Sequence, residues 1–373
     1  MTILDYVKEQ HAPFSEVPFN PIDSLILTKL SYFHFEHFSE HLNKKEKHLP
    51  KIKDLLKAEL FPKLLRNVQH PLQSQALLIN MGMSPRYRDI KFAYFEEKFD
   101  QNKIVQFAAI TFIINETLAY IAYRGTDSSI IGWQEDFNMV FTFPIPSQIE
   151  AVEYLDKVAK KVKGRLILGG HSKGGNLAVY AASQSKSKVK DKIKAIYNHD
   201  GPGFLGDFYK GEEYLSIKAK IHKTVPTSAL IGLLFYESED YHIVKSNRQS
   251  VYQHNPFTWL ITGNDFQYEA NISRRAIRVN TTLHQWLRSA NNEERELFVT
   301  TMFELIKTIN VTDVSELNEN VLETSLRAIR AYRKLDNETK KFIRLSFRDL
   351  IKLYFNVLGR TNLTRKPKRL KNS

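Results

Sequence analysis

The chain has 373 residues, 42% of them hydrophobic and none of them cysteine, which excludes disulfide bonds, a thiol nucleophile and thiolate metal ligands. No run reaches the roughly eighteen apolar residues of a membrane span, and the first ten residues lack the apolar stretch of a secretory signal, so we expect an unexported, cytoplasmic protein. The net charge of +13 is concentrated after residue 270, where 21 Lys and Arg stand against 11 Asp and Glu.

The first 102 residues are predicted to form a helical segment that covers the core, because residues 22–82 carry apolar side chains at helical spacing. The pattern changes between residues 103 and 246, where strand-like and helix-like segments alternate. This alternation is typical of a mostly parallel sheet covered by helices. We therefore place an α/β core at residues 103–272.

The core is predicted to open with a hairpin of strands 104–114 and 117–123 around a two-residue turn at Asn115-Glu116. A helix is expected to start at Ser147, because Ser147 and Glu150 have the spacing of a capping box. A small-residue helix is expected at 176–183. Further strands are predicted at 166–168, 193–197, 217–221 and 241–245.

The pattern after residue 273 predicts a helical extension over residues 273–359. Its helices are expected around 283–286 and at 294–309, 314–335 and 338–358. The last helix has an apolar face beside many basic residues, so it could pack on the core or lie on a membrane. Six of the final fourteen residues are Lys or Arg, which predicts a disordered basic tail at 360–373.

A candidate nucleophile lies in Gly170-His171-Ser172-Lys173-Gly174. In a Gly-x-Ser-x-Gly turn between a strand and a helix, glycines avoid the collisions that flanking side chains would cause. The helix N-terminus also favours a developing negative charge. The alternative is a glycine-rich helix start that only packs, whereas a phosphate loop fits poorly because the lysine precedes the glycines.

This segment extends to Leu-Gly-Gly-His-Ser-Lys-Gly-Gly-Asn-Leu-Ala at 168–178, and four further motifs accompany it. They are Tyr-Arg-Gly-Thr-Asp at 123–127, Gly-Trp-Gln-Glu-Asp-Phe at 132–137, Asp-Gly-Pro-Gly-Phe at 200–204 and Gln-His-Asn-Pro-Phe at 253–257. Together they resemble the Mbeg1-like family of bacterial α/β-hydrolases, which is similar to class 3 lipases. The likeness includes residues 18–25 and covers roughly residues 1–260. It implies an α/β-hydrolase fold and a serine hydrolase without cofactor or metal.

The resemblance also implies an oxyanion hole. In class 3 lipases one donor comes from the Arg-Gly-Thr element and the other from the residue after the nucleophile, which here are Thr126 and the backbone N–H of Lys173. Two donors in place before reaction suit a tetrahedral oxyanion, and loss of one typically costs about 10²- to 10³-fold in rate. The alternative for Thr126 is a turn residue whose hydroxyl caps the chain near Ile130.

The catalytic base is expected downstream of Ser172, because the chain order in this fold is serine, acid, histidine. Our choice is His254, which follows the last predicted strand in a loop that contains proline; the alternative is a histidine that caps or packs there. His242 falls inside a predicted strand. The candidates considered are His199, His222, His242, His254 and His284.

The acid departs from the class 3 lipase pattern. Those enzymes usually carry Asp shortly before a Val-Pro pair, and the matching stretch 221–226 has Lys223 in that place. We favour Asp200, at the end of the preceding strand, as the acid. Glu237 and Asp240 are the alternatives, and a turn-forming role remains open for Asp200.

The sequence thus predicts a serine hydrolase that cleaves a carboxylic ester, with lipid esters and thioesters among the candidate substrates, through an acyl-enzyme on Ser172. Trp133 and Phe137 resemble the lid region of lipases, although core packing would equally explain them. The alternative function is a catalytically inactive hydrolase-fold protein that binds anionic membrane through the basic C-terminal region. Nucleic acid is a weaker alternative partner, because no recognised binding motif is present.

Overall fold

The computed structural model describes residues 1–36, 49–127, 129–235, 240–308 and 326–363, the last range with gaps at 328, 331 and 334. Most of its strands form one sheet of eight, in the order β1-β2-β3-β4-β5-β6-β7-β10, and β8 pairs with β9. Their bounds are β1 (Lys91–Asp100), β2 (Val105–Asn115), β3 (Leu118–Tyr123), β4 (Arg165–His171), β5 (Ile193–His199), β6 (Ile221–Pro226), β7 (His242–Val244), β8 (Ile261–Thr262), β9 (Asp265–Phe266) and β10 (Tyr268–Glu269).

The sheet is parallel at its centre and antiparallel at both edges. Strands β3 to β7 run parallel to one another, whereas β1, β2 and β3 form an antiparallel meander and β10 returns antiparallel to β7. Parallel strands need crossover connections, and here helices supply them between β3, β4 and β5. The carboxyl ends of the central strands therefore gather at one edge of the sheet, where sites in open α/β folds lie.

Helices cover both faces of the sheet. The described helices are α1 (Ile3–Glu9), α2 (Pro21–Leu30), α3 (Phe61–Leu64), α4 (Pro71–Met83), α5 (Ile130–Asn138), α6 (Pro146–Lys161), α7 (Lys173–Gln184), α8 (Ser187–Lys192), α9 (Glu212–Leu215), α10 (Arg274–Ser289), α11 (Asn292–Thr308) and α12 (Asn337–Leu363). Helices α1, α2 and α4 pack on one face around Trp259, and α6 and α7 pack on the other around Tyr154. The sheet thus separates two apolar cores, and the molecule has the predicted α/β-hydrolase fold.

Strand β1 lies inside the segment 1–102, which the sequence analysis predicted to be helical. The strand's pairing with β2 shifts register between Ala93 and Glu96, and such a bulge interrupts the two-residue alternation of apolar side chains. Its outer half also carries the charged residues Glu96, Glu97 and Lys98. The strand therefore lacks the apolar pattern on which strand prediction depends.

The predicted hairpin is present, but its turn lies one residue later. Asn115 pairs with Leu118, so the two turn residues are Glu116 and Thr117. The carbonyl oxygen Oδ1 of Asn115 accepts a hydrogen bond from the backbone N–H of Thr117 at 2.9 Å. Asparagine therefore closes the turn through its own side chain.

Helix α6 also starts earlier than predicted, and a different residue caps it. Pro146 is its first residue, and Oε1 of Gln148 accepts a hydrogen bond from the backbone N–H of Ile145 at 3.0 Å. The backbone N–H of Ser147 instead donates to Glu135 at 2.9 Å. The predicted capping box of Ser147 and Glu150 is therefore wrong.

The predicted strand at 217–221 is also wrong. Residues Lys218–Lys220 form a 3-10 helix, and β6 begins only at Ile221. The alternating lysines reflect surface contacts, since Lys218 pairs with Asp240 at 3.0 Å and Lys220 donates to the backbone of Lys190 at 2.7 Å.

The C-terminal part is helical where the structure describes it. Most of the predicted helix 314–335 lies outside the described residues. Helix α12 continues to Leu363, so residues 360–363 are helical and not part of a disordered tail, while 364–373 lie outside the described residues. None of the described helices has both the length and the apolar character needed to cross a bilayer.

Candidate active site

Ser172 lies on a tight turn between β4 and α7. Its φ of 57° and ψ of −134° belong to a region that residues other than glycine rarely adopt. A Cβ on Gly170 would lie 2.2 Å from the carbonyl carbon of Gly174, and one on Gly174 would lie 2.2 Å from the carbonyl oxygen of Tyr123. Both glycines are therefore required by close backbone contact, as the sequence analysis predicted.

His254 lies between Ser172 and Asp200. Its Nε2 is 3.1 Å from Oγ of Ser172, and its Nδ1 is 2.7 Å from Oδ2 of Asp200. Because a carboxylate accepts hydrogen bonds, Nδ1 carries the proton and the lone pair of Nε2 faces the serine hydroxyl. The structure thus brings together the predicted nucleophile, base and acid within hydrogen-bond distance.

A short turn after β5 holds Asp200 in place. The residue is 1% exposed and has a φ of 53°. Its Oδ1 accepts a hydrogen bond from the backbone N–H of Gly232 at 3.1 Å, and its own N–H donates to Thr224 at 2.7 Å. Burial raises the pKa of Asp200, although the hydrogen bond from His254 and the charge of Lys223 act in the opposite direction.

Lys223 occupies the position at which the class 3 lipase pattern has its acid. The side chain is 2% exposed, and Nζ donates to the carbonyl oxygen of Gly201 at 2.9 Å. Burial lowers the pKa of Lys223 to about 7, although the Asp200 carboxylate acts to raise it. The lysine therefore binds the turn that carries Asp200.

The alternative acids lie differently. Asp240 has a side chain 70% exposed to solvent and forms an ion pair with Lys218 at 3.0 Å. Glu237 lies outside the described residues. Within the described part of the chain, Asp200 is therefore the candidate acid whose carboxylate bonds to His254.

Contacts to the backbone position the loop that carries His254. The residue ends the 3-10 helix Ser250–His254, and Nε1 of Trp259 donates to the carbonyl oxygen of Gln253 at 2.8 Å. Nε2 of His171 lies 2.8 Å from the carbonyl oxygen of His254, so this nitrogen carries a proton and donates. Burial, with smaller contributions from the charges of His254 and Lys29, holds the pKa of His171 well below its usual value. The sequence analysis assigned no role to His171.

The other candidate histidines have different partners. His199 is buried between Oγ of Ser24 at 3.0 Å and Oγ1 of Thr224 at 2.9 Å. Burial lowers its pKa to about 3, with a smaller contribution from His222. His284 lies on α10 with Nε2 3.2 Å from the carbonyl oxygen of Leu233. His222 and His242 lie on β6 and β7, as exposed residues of the sheet.

The two expected oxyanion donors line the same cavity as Ser172. Lys173 is the first residue of α7, so its backbone N–H has no acceptor within the helix. The hydroxyl of Thr126 donates to Oδ2 of Asp136 at 2.5 Å, whereas the neighbouring helix α5 is capped by Ser129. The hydroxyl of Thr126 is therefore held by a carboxylate and does not cap that helix.

The side chain of Lys173 is buried in a charge cluster that the sequence analysis missed. It is 1% exposed, and Nζ lies 2.8 Å from Oε2 of Glu135, 3.5 Å from Oδ1 of Asp136 and 3.1 Å from the carbonyl oxygen of Gln106. Burial would lower the pKa of Lys173, but the carboxylates of Glu135 and Asp136 outweigh it and raise the pKa. The cluster therefore holds Lys173, the residue after Ser172, against helix α5.

Ser172 opens onto a cavity of about 950 Å³ that reaches the C-terminal helices. Trp133 and Phe137 of α5 line this cavity and are 37% and 45% exposed. The ring of Phe137 lies 5.6 Å from that of Phe303 on α11. Much of the remaining wall is apolar and comes from two segments, with Leu230, Ile231 and Leu234 on one side and Leu283, Trp286 and Leu287 on the other.

Three residues of types that commonly bind metal ions lie close together, and none of them lines this cavity. His34, Glu36 and Glu97 bring their ligand atoms within 4.8 Å of one another. Glu97 also forms an ion pair with Arg124 at 2.5 Å. The expectation that the catalytic site holds no metal remains a prediction.

The chain matches a protein-family model. The family model described as Mbeg1-like matches residues 81–304. The sequence analysis placed the resemblance at residues 1–260, whereas this match starts and ends later. It includes α10 and most of α11, and both helices contribute to the cavity wall. No curated protein sequence matches the chain.

Several solved structures are similar to this chain at low identity. A mutant form of MDLA from Penicillium cyclopium is 13% identical with a TM-score of 0.40, covering 69% of this chain and 87% of that one. The lipase–propeptide complex of Rhizomucor miehei is 16% identical with a TM-score of 0.38, covering 72% and 78%. A structure described as M37 lipase is 15% identical with a TM-score of 0.36, covering 58% and 70%.

Proposed function

Because this chain belongs to the Mbeg1-like family and has an α/β-hydrolase fold, we propose that it is a serine hydrolase of carboxylic esters. The observation that carries the proposal is the pair of contacts that His254 makes with Ser172 and Asp200. A serine activated by a histidine, which a carboxylate orients in turn, is the arrangement used for acyl transfer on several unrelated folds.

In the proposed reaction Oγ of Ser172 attacks the ester carbonyl while Nε2 of His254 accepts the hydroxyl proton. Asp200 keeps the proton of His254 on Nδ1 and stabilises the imidazolium that forms. His254 then protonates the leaving alcohol or thiol. In the second half of the reaction a water molecule, deprotonated by His254, attacks the acyl-enzyme and releases the carboxylic acid.

The oxyanion of each tetrahedral intermediate would receive hydrogen bonds from the backbone N–H groups of Lys173 and Thr126, because the hydroxyl of Thr126 already donates to Asp136. The N–H of Lys173 stands at the start of a twelve-residue helix, so the helix dipole adds to its effect. The hydrogen bond of Thr126 to Asp136 and the ion pair of Lys173 with Glu135 hold both residues before substrate arrives. Such preorganised donors are the main electrostatic contribution to this class of reaction.

The apolar walls of the cavity support an ester with a long hydrocarbon chain as substrate. Burial of apolar area stabilises such a chain by about 0.8 kcal/mol for each CH₂ group. The chain could belong to a lipid ester or a thioester. The cytoplasmic location and the contact of the basic C-terminal region with anionic membrane remain predictions.

Reaction with a fluorophosphonate probe tests the proposal. Oγ of Ser172 should displace fluoride from phosphorus, because the same activation that serves acyl transfer serves this attack. We expect the wild-type protein to be labelled at one serine and Ser172→Ala to lose the label. Labelling is measured by gel fluorescence and by the mass increase of the intact protein.

Ser24→Ala is the matched control for this experiment. Ser24 also lies against a histidine, with Oγ 3.0 Å from Nε2 of His199, but it is fully buried and its histidine faces Thr224 instead of a carboxylate. This variant should keep the label. A folded wild-type protein that resists the probe, or a Ser172→Ala protein labelled to the same extent, would favour the inactive hydrolase-fold alternative.

A further inference from the structure

Lys29 is a buried cation on α2 that faces the cavity. It is 3% exposed, and it lies in the wall of the cavity that contains Ser172. Its Nζ lies 4.2 Å from the ring centroid of Tyr32 and 5.4 Å from that of Phe257. Within the described part of the chain no carboxylate pairs with this ammonium. Aromatic rings compensate only part of the cost of removing an ammonium from water.

The charge of Lys29 acts close to the reacting groups. Burial lowers the pKa of His70, and the charge of Lys29 adds to this effect. The pKa of His171, the residue next to Ser172, is lowered mainly by burial. The charge of His254 and then the charge of Lys29 contribute less to this shift. Lys29 and Ser172 line the same cavity, so a group bound at Lys29 shares that cavity with the serine.

The wall around Lys29 has the other features of an anion site. Helix α4 of thirteen residues begins after His70. Gln73 of its first turn lines the cavity, together with Gln69 and His70 just before the helix. The N-terminus of a helix presents unpaired N–H groups and a partial positive charge. The exposed side chain of Arg248 lines the cavity as well. Among the described lining residues the acidic one is Asp136, which lies beside Lys173.

We propose that this end of the cavity binds an anionic group of the substrate, a phosphate or a carboxylate, with Lys29 as its main contact. The inference rests on the proposed ester hydrolysis and specifies its substrate class. The apolar wall of Leu283, Trp286 and Leu287 receives the hydrocarbon chain. The substrate is then an anionic amphiphile, an ester whose reacting carbonyl lies between the chain and the charge.

Three esters with the same acyl chain test the proposal. They are a monoacylglycerol, which is neutral, the corresponding monoacylglycerol phosphate and the acyl ester of lactate, which carries a carboxylate. Each is assayed below its critical micelle concentration. A charge-assisted hydrogen bond predicts a kcat/KM about 10- to 100-fold higher for at least one anionic ester than for the neutral one, and the preferred ester distinguishes phosphate from carboxylate.

Lys29→Met should bring the ratio of anionic to neutral kcat/KM close to one. The ratio does not depend on the fraction of correctly folded enzyme, because both esters are assayed on the same sample. Lys161→Met is the matched control, since Nζ of Lys161 also lies over an aromatic ring, 4.8 Å from the centroid of Tyr94, on the exposed surface. This variant should keep the wild-type ratio.

A second measurement needs no variant. It is the pH dependence of the wild-type ratio of kcat/KM for an anionic ester to kcat/KM for the neutral ester. Burial lowers the pKa of Lys29 to about 8, so the preference for anionic esters should be greatest below pH 7 and decline as the pH rises through 8. The titratable groups that line the wall around Lys29 do not change charge in this range. Burial lowers the pKa values of His70 and His171 and raises that of Tyr32, and Arg248 remains charged.

Equal kcat/KM values for all three esters, or a Lys29→Met protein with the wild-type ratio, would overturn the proposal. If the protein hydrolyses no ester, calorimetry separates the two hypotheses. An alkylglycerol phosphate with an ether in place of the ester should then bind at least about 10-fold more tightly than the matching alkylglycerol, and Lys29→Met should remove the difference. Equal binding of both ethers would reject the anion site.

Discussion

Asp200→Asn is expected to lower kcat for ester hydrolysis by about 10⁴-fold, as the same change does in other hydrolases with this arrangement. Oδ1 of Asp200 accepts a hydrogen bond from the backbone N–H of Gly232, so the amide oxygen of asparagine would take that position. The amide NH₂ would then face Nδ1 of His254. The histidine proton would move to Nε2, which could no longer accept the proton of Ser172.

Steady-state kinetics with a short-chain ester would measure this effect, and Asp240→Asn supplies the control. Asp240 was an alternative acid in the sequence, but its exposed carboxylate pairs with Lys218. We expect Asp240→Asn to retain wild-type kcat. If kcat falls further in Asp240→Asn than in Asp200→Asn, then Asp240 is the catalytic acid and the assignment of Asp200 is wrong.

Lys173→Met is expected to lower the free energy of unfolding by about 3–5 kcal/mol, the usual effect of breaking a buried ion pair by removing one partner. Glu135 is fully buried, and without the lysine its carboxylate keeps, among the described residues, only the backbone donors of Gln106 and Ser147. The double variant Lys173→Met/Glu135→Gln should recover part of the loss, because it removes the uncompensated charge. Urea denaturation near neutral pH measures all three proteins.

Lys98→Met is the matched control for the buried pair. Lys98 pairs with Glu150 at the surface, with its side chain 45% exposed, and exposed pairs contribute less than about 1 kcal/mol. If Lys173→Met costs no more than Lys98→Met, the charge cluster does not stabilise the turn that carries Ser172.

The parts of the site that could be predicted depend on short stretches of chain. The elbow of Ser172 follows from two glycines and from the strand and helix on either side of them. His254 and Asp200 could be proposed because this fold places its acid and base after strand ends, in a known order along the chain. The sequence also shows that Lys223 stands where the class 3 lipase pattern has its acid. It does not show that the side chain of Lys223 contacts Gly201.

The parts that could not be predicted depend on contacts between distant segments. Glu135 and Lys173 are 38 residues apart, and neither residue's local pattern indicates a buried pair. Lys29 stands in a helix whose spacing predicts ordinary packing, and only the position of α2 against the sheet places it at the cavity. His171 bonds to the backbone 83 residues later, and no side-chain pattern encodes a carbonyl acceptor.

The central claim is that Ser172 carries the acyl group during catalysis. Rapid acid quenching of the protein with an activated ester, followed by mass spectrometry of the intact chain and of its peptides, tests this claim most directly. We predict a mass increase equal to one acyl group, located on Ser172 and decaying as the carboxylic acid is released. An acyl group on another residue, or ester turnover by the Ser172→Ala protein at the wild-type rate, would contradict it.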